Sequence, residues 1–202
     1  MKTIGAQLLG VLGVLGSLLW LSLNTLLSPD FGYPGSTDYL GYQTINRLWA
    51  PAFALMLCGF VGLYQCHPLS QARSGRLGFR LATAGLVVMA VGNIAEFWFL
   101  TELPYGQLNM RAFAWIGLLL GMLSLLIGTS LLGLAGWRHQ VMPAWGSAVL
   151  ALGLPIFIWL FFSQRITEAW LVLGGLGLMV GLLALAPRRM ARAPQPHAQG
   201  AA

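Results

Sequence analysis

Apolar residues run along the chain in six long blocks, roughly 5–27, 47–66, 79–100, 112–136, 145–162 and 169–187, separated by short polar segments. Each block approaches the about 20 residues that an α-helix needs to cross a hydrocarbon core about 30 Å thick. The pattern predicts an all-α fold, a polytopic membrane protein with six transmembrane helices in a compact bundle over residues 1–187. A tail at 188–202 follows, in which Pro194 and Pro196 stand among small and polar residues. Such a composition cannot offset the entropy of ordering, so a flexible tail is expected. The first block follows Lys2 and resembles a secretory signal in outline. It is too long for the usual 7–15-residue signal core, however, and ends in Ser28-Pro29-Asp30 without a small-residue cleavage pattern, so it reads as a retained helix.

Within the blocks, small residues recur at helical spacing. Gly10, Gly13 and Gly16 repeat every three residues, and Gly85 and Gly92 lie two turns apart. Gly117, Gly121, Ser124 and Gly128 step by 4, 3 and 4, and Gly174, Gly177 and Gly181 by 3 and 4. Lipid removes the hydrophobic drive between helices and leaves close backbone approach to hold them together, so these faces are expected to form the tight contacts of the bundle. Pro155, inside the fifth block, is expected to bend its helix. A shift of 64 residues lays the second and third blocks over the fourth and fifth, matching Arg47 with Arg111 and Phe97-Trp98 with Phe161-Phe162. The match is faint, and arginines and aromatics flanking any membrane helix would produce it.

Composition sharpens the class. Only 8% of residues are charged and 57% are apolar before the 26 glycines are counted, too little polar surface to clothe a water-soluble domain. Net charge is +6, yet its placement argues against nucleic acid as a partner. Lys2, Arg73, Arg76, Arg80, Arg138, Arg188, Arg189 and Arg192 fall on one side of the six-span arrangement, and Arg47, Arg111 and Arg165 on the other. By the positive-inside rule the first side is cytoplasmic, which puts both termini there. All five acids, Asp30, Asp38, Glu96, Glu102 and Glu168, gather in or near the opposite, outer half. Abundant arginine, alanine and glycine with a single lysine suggest a bacterial origin, hence a plasma (inner) membrane location.

Glu96 is the one acid within a block. Charged residues inside a membrane are costly and mark functional positions by default. Counting from Arg80, it stands roughly 24 Å up the helix, near the outer boundary. Gly85, Met89, Gly92 and Glu96 step by 4, 3 and 4, so the carboxyl is expected to point into the bundle, with Asn93 one turn below. Two readings follow. In the leading one, a structural ion pair with Arg47, Arg111 or Arg165 fixes helix register. In the other, Glu96 is a functional carboxyl, a proton carrier, general acid or ligand contact. Above it, the segment 28–46 carries Asp30, Asp38, Tyr33, Tyr39 and Tyr42, and is longer than a bare connection requires. It is expected to lie as a loop over the outer face, covering a pocket if one exists there. The candidate ligand-binding set is therefore Glu96, Asn93, Arg47, Arg111, Tyr39, Tyr42 and Asp38, with Glu96 also the candidate catalytic group.

No zinc-protease, serine-hydrolase or nucleotide-binding motif occurs. His67 and His139 fall at block ends and read as interfacial, with no pair across mid-membrane to hold a haem. Cys58 and Cys66 form no redox motif. No metal or cofactor is expected. Three function classes remain open. The first is binding, or help in transport, of a small apolar or amphiphilic molecule in an outward-facing pocket under the 28–46 segment. The second is a non-catalytic subunit packing against a membrane protein partner or another copy of itself. The third is a membrane enzyme using Glu96 as acid or base on a lipophilic substrate. An outward cavity favours the first, a small-residue stripe facing lipid the second, and a second titratable group beside Glu96 the third.

Overall fold

The structure, a computed structural model, describes residues 2–25, 39–100 and 108–186. Among these the chain is all-helical. The helices are α1 (Lys2–Thr25), α2 (Tyr39–Arg47), α3 (Trp49–Cys66), α4 (Arg73–Ile94), α5 (Leu108–His139), α6 (Ala144–Phe162) and α7 (Ile166–Leu185). A 3₁₀ turn, Pro68–Gln71, leads into α4, and a π-helical turn, Ala95–Phe99, extends it. Six segments are long and apolar enough to cross a membrane, as the hydrophobic blocks predict: 4–25, 43–66, 73–99, 113–139, 144–162 and 166–185. The tail at 188–202 lies outside the described residues.

Sequential long helices pack antiparallel, α1 on α3, α3 on α4, α4 on α5, α5 on α6 and α6 on α7. α7 also packs on α1 and on α3, closing the ring. One end therefore carries the starts of α3, α5 and α7 together with α2. The other carries the starts of α4 and α6 and the ends of α3, α5 and α7.

Glycines set the closest crossings. A Cβ on Gly13 would land on the Cα of Gly59, and one on Gly59 would lie 2.9 Å from the Cα of Gly13 and 3.7 Å from that of Gly181. Three helices thus touch backbone to backbone where their side chains are absent. Between α4 and α5 the approach is similar, since a Cβ on Gly121 would meet Gly85 O at 2.7 Å and Met89 N at 2.9 Å. Ser124 adds a bond from its hydroxyl to Leu81 O, 2.9 Å across the same seam. Of the expected α5 stripe, Gly117 alone turns its Cβ direction away from this seam, with nothing within 4 Å of a Cβ built there, although its backbone lies 3.7 Å from a Cβ built on Gly92.

One expectation is corrected. Residues 39–47 form α2 rather than part of a loop, while 26–38 lie outside the described residues. Pro51 explains why α2 and α3 are separate helices. It has no N–H to bond the Arg47 carbonyl, and its ring crowds that carbonyl, so the chain turns at Leu48 before resuming. Pro155, by contrast, is accommodated inside an α6 that runs unbroken from 144 to 162. Two helix exits use non-glycine residues in the left-handed region, Gln140 (φ 52°) after α5 and Gln164 (φ 58°) after α6.

Candidate functional site

The polar layer forms where α4 runs out. Beyond Ile94 the chain widens into the π turn, closed by Leu100 N–H donating to Ala95 O at 3.0 Å. Single π turns within α-helices recur at functional positions because they re-aim side chains and disturb the usual carbonyl pairing. Here the turn holds Glu96, which is 4% exposed, with the fully buried Asn93 one turn before it. Both point inward, as the stepping of Gly85, Met89 and Gly92 predicts. The exposed side of the same turn is Trp98 and Phe99.

α2 packs on this turn and on α3 and α4 and supplies the layer's other members. Asn93 Nδ2 donates to Asn46 O at 2.9 Å, joining α4 to the last turn of α2. Asn93 Oδ1 is buried and accepts no hydrogen bond. Arg47 Nε donates to Phe97 O at 2.7 Å. A cation at the end of α4 suits the carbonyls left over there, both by hydrogen bonding and by the helix dipole. Arg47 is thus brought within one residue of Glu96, and its Nε is committed to the backbone.

The remaining candidates divide. Arg165, a possible counter-ion by sequence, is exposed in the turn between α6 and α7 and takes no place in the buried layer. Tyr39 and Tyr42 are carried by α2, and Arg111 by the first turn of α5, but their side chains lie outside the described part of the structure, as does Asp38 entirely. Asp30 and Glu102, which with Asp38 are the outer-half acids that could partner Glu96 in acid–base chemistry, also lie outside it. Among the described residues no group of three or more His, Cys, Asp or Glu could hold a metal ion.

An aromatic layer that the sequence reading misses lies against the polar one. Trp20 of α1, Trp49 and Phe53 of α3, Phe97 of the π turn and Trp170 of α7 pack together, with ring centroids 4.8 Å apart for Trp20–Trp49, 5.7 Å for Trp49–Trp170 and 6.5 Å for Trp49–Phe97. Trp20 Nε1 donates to Trp170 O at 3.1 Å, whereas Trp49 Nε1 is buried with no hydrogen-bond partner. Hydropathy places these tryptophans near helix ends, where an interfacial belt is the ordinary expectation. Only a reading of helix rotation could have turned them inward.

Beside the polar layer, α4 and α5 part to leave an apolar groove of about 460 Å³, with Val88, Val91, Gly92, Ala95, Ala114 and Gly117 among its walls. Its cause is the run of small residues. Gly92 and Ala114 bring the backbones together, and the open space where a Gly117 side chain would stand leaves the trough open. Ala95 lines the groove, and Glu96, the next residue on the same turn, points into the protein.

No family model, curated protein or solved structure matches the chain. Its class rests on the molecule itself. The six long apolar helices are those of a multi-pass membrane protein.

Proposed function

We propose that this is an integral protein of a bacterial inner membrane, with both termini cytoplasmic, that binds a small apolar or amphiphilic molecule taken from the bilayer. The apolar part lies in the groove between α4 and α5, and the polar end turns inward past the groove wall toward Glu96, Asn93 and Arg47, which do not line the groove itself. One observation carries the reading. The groove wall, Gly92 and Ala95, alternates along one stretch of chain with the buried polar residues Asn93 and Glu96, and Asn93 Oδ1 has no partner. A groove of this size falls within the roughly 300–1,000 Å³ of ordinary ligand sites. Compared with a pocket opening upward beneath the 28–46 segment, this site opens sideways, toward the acyl chains.

The subunit reading draws less support, because the glycine stripes of α1, α4 and α7 and most of that of α5 are occupied within the chain. The test purifies the full chain in mild detergent and identifies co-purifying molecules by native mass spectrometry. Gly117→Leu should fill the groove without strain, keep the melting temperature, and retain several-fold less of the bound species. Equal retention by the variant and the wild type overturns the reading.

A further inference from the structure

The opposite end of the molecule holds a second, smaller cleft that the proposed lipophile site does not use. Its volume is about 170 Å³, and its walls include Gln71 and Ala72 before α4, Ala135 and His139 at the end of α5, and Val141 beyond it. That is less than the roughly 300 Å³ at which small-molecule pockets begin, and suits a single compact group. The walls are built rather than incidental. His67, 6% exposed, places Nδ1 2.8 Å from Val141 O and Nε2 3.1 Å from Leu183 O, tying the α5–α6 connection and the end of α7 to the end of α3. Arg76 donates from Nη1 to Ser70 O, at 3.4 Å, over the 3₁₀ turn that forms another wall.

Charge around this cleft is of one sign. Arg73 follows Ala72 directly and Arg138 precedes His139, and both arginines are exposed. Arg73, Arg76 and Arg80 step by 3 and 4, so they share one exposed face over the first two turns of α4. The acids among the described residues are Glu96 and Glu168, both at the α2 end. Counted along α4, Glu96 stands roughly 35 Å from Arg73, far beyond the about 8 Å over which exposed charges interact at physiological salt. The cleft also sits where the long apolar helices end, beside residues of interfacial character. Trp137 and Trp145 are both exposed on either side of the α5–α6 connection, and Leu77 is exposed between Arg76 and Arg80. Tryptophans at this position and an apolar residue among arginines belong to the headgroup layer rather than to bulk water.

We propose that this cleft binds the phosphate of an anionic phospholipid, with Arg73 and Arg138 as its cationic flanks and His139 and Gln71 as neighbouring polar contacts. The lipid's acyl chains would then lie along the apolar faces below. The probes are phosphatidylglycerol and phosphatidylcholine, offered in equal amounts to the purified full chain and counted by native mass spectrometry. The wild type should retain phosphatidylglycerol in preference, and the preference should fall as salt is raised. Each of Arg73→Gln and Arg138→Gln should reduce the preference roughly fivefold, while Arg165→Gln at the other end leaves it unchanged. Melting in phosphatidylcholine alone reports whether each variant folds. If the Arg73 and Arg138 variants do not fold, the wild type decides, because equal retention of the two lipids overturns the proposal. It is also overturned if folded variants keep the full preference, or if inorganic phosphate raises the melting temperature as much as phosphatidylglycerol does, which would assign the cleft to a soluble anion.

Discussion

At the scale of single residues, the polar groups divide into those whose spacing announces them and those whose surroundings define them. Glu96 stands out in sequence because an acid inside an apolar block is rare, and Asn93 because it shares that face; both are buried as expected. His67 reads as interfacial from its position at a block end, yet it is buried between two carbonyls of distant segments. No local pattern encodes that, since Val141 and Leu183 are joined to it only by the fold. His67→Phe keeps an aromatic ring and removes both contacts, so it should cost roughly 2–4 kcal/mol, measured as a fall in unfolding free energy in detergent. Glu96→Gln asks a different question, because Gln keeps shape and hydrogen bonding but cannot ionise. As a ligand anchor, the Gln variant should melt near the wild type and hold less of the bound lipophile. A large loss of stability that is recovered when Arg47 or Arg111 is also neutralised would instead place Glu96 in a structural ion pair, because then both desolvation costs disappear together.

At the scale of helices, length and apolarity suffice to place all six spans within a few residues, because the bilayer fixes how long such a helix must be. α2 escapes that logic. It is nine residues long and too polar to span, and the break that separates it from α3 depends on Pro51 acting four residues upstream. Helix exits were equally hard to read, because Gln140 and Gln164 take the left-handed backbone positions where glycine is the usual signal. The glycine faces were legible as a class, but whether each glycine meets a helix or lipid was not. Gly121 and Gly117 are separated by one turn of α5 and should behave oppositely. Gly121→Leu has no room against the α4 backbone and should destabilise the protein by roughly 1–3 kcal/mol or more, as overpacking of a fixed contact does. Gly117→Leu should leave melting unchanged. An unchanged melting temperature for Gly121→Leu would mean that α4 and α5 do not touch along this seam.

At the scale of the whole molecule, the two ends differ in chemistry, and that difference predicts an orientation. The end where α4 begins carries Arg73, Arg76, Arg80 and Arg138 with no carboxylate among the described residues, whereas the α2 end carries Glu96 and Glu168 beside Arg47 and Arg165. Short connections rich in arginine are retained on the cytoplasmic side during insertion, and acids contribute little to that choice, so the arginines decide the direction. The first turn of α4 should therefore face the cytoplasm and the first turn of α7 the outside. Ser74, half-buried on the first, and Thr167, exposed on the second, are positions at which a cysteine can report this. The native Cys58 and Cys66 must first be replaced, and Cys66 calls for a check of folding, because its thiol donates to Ala184 O at 3.2 Å. In intact cells a membrane-impermeant maleimide should label Thr167→Cys at once and Ser74→Cys only after the membrane is permeabilised. The reverse order would invert the molecule. It would put the arginine-flanked cleft on the outer face and turn the polar layer of Glu96, Asn93 and Arg47 toward the cytoplasm, so that any ligand anchored there would come from the inner leaflet.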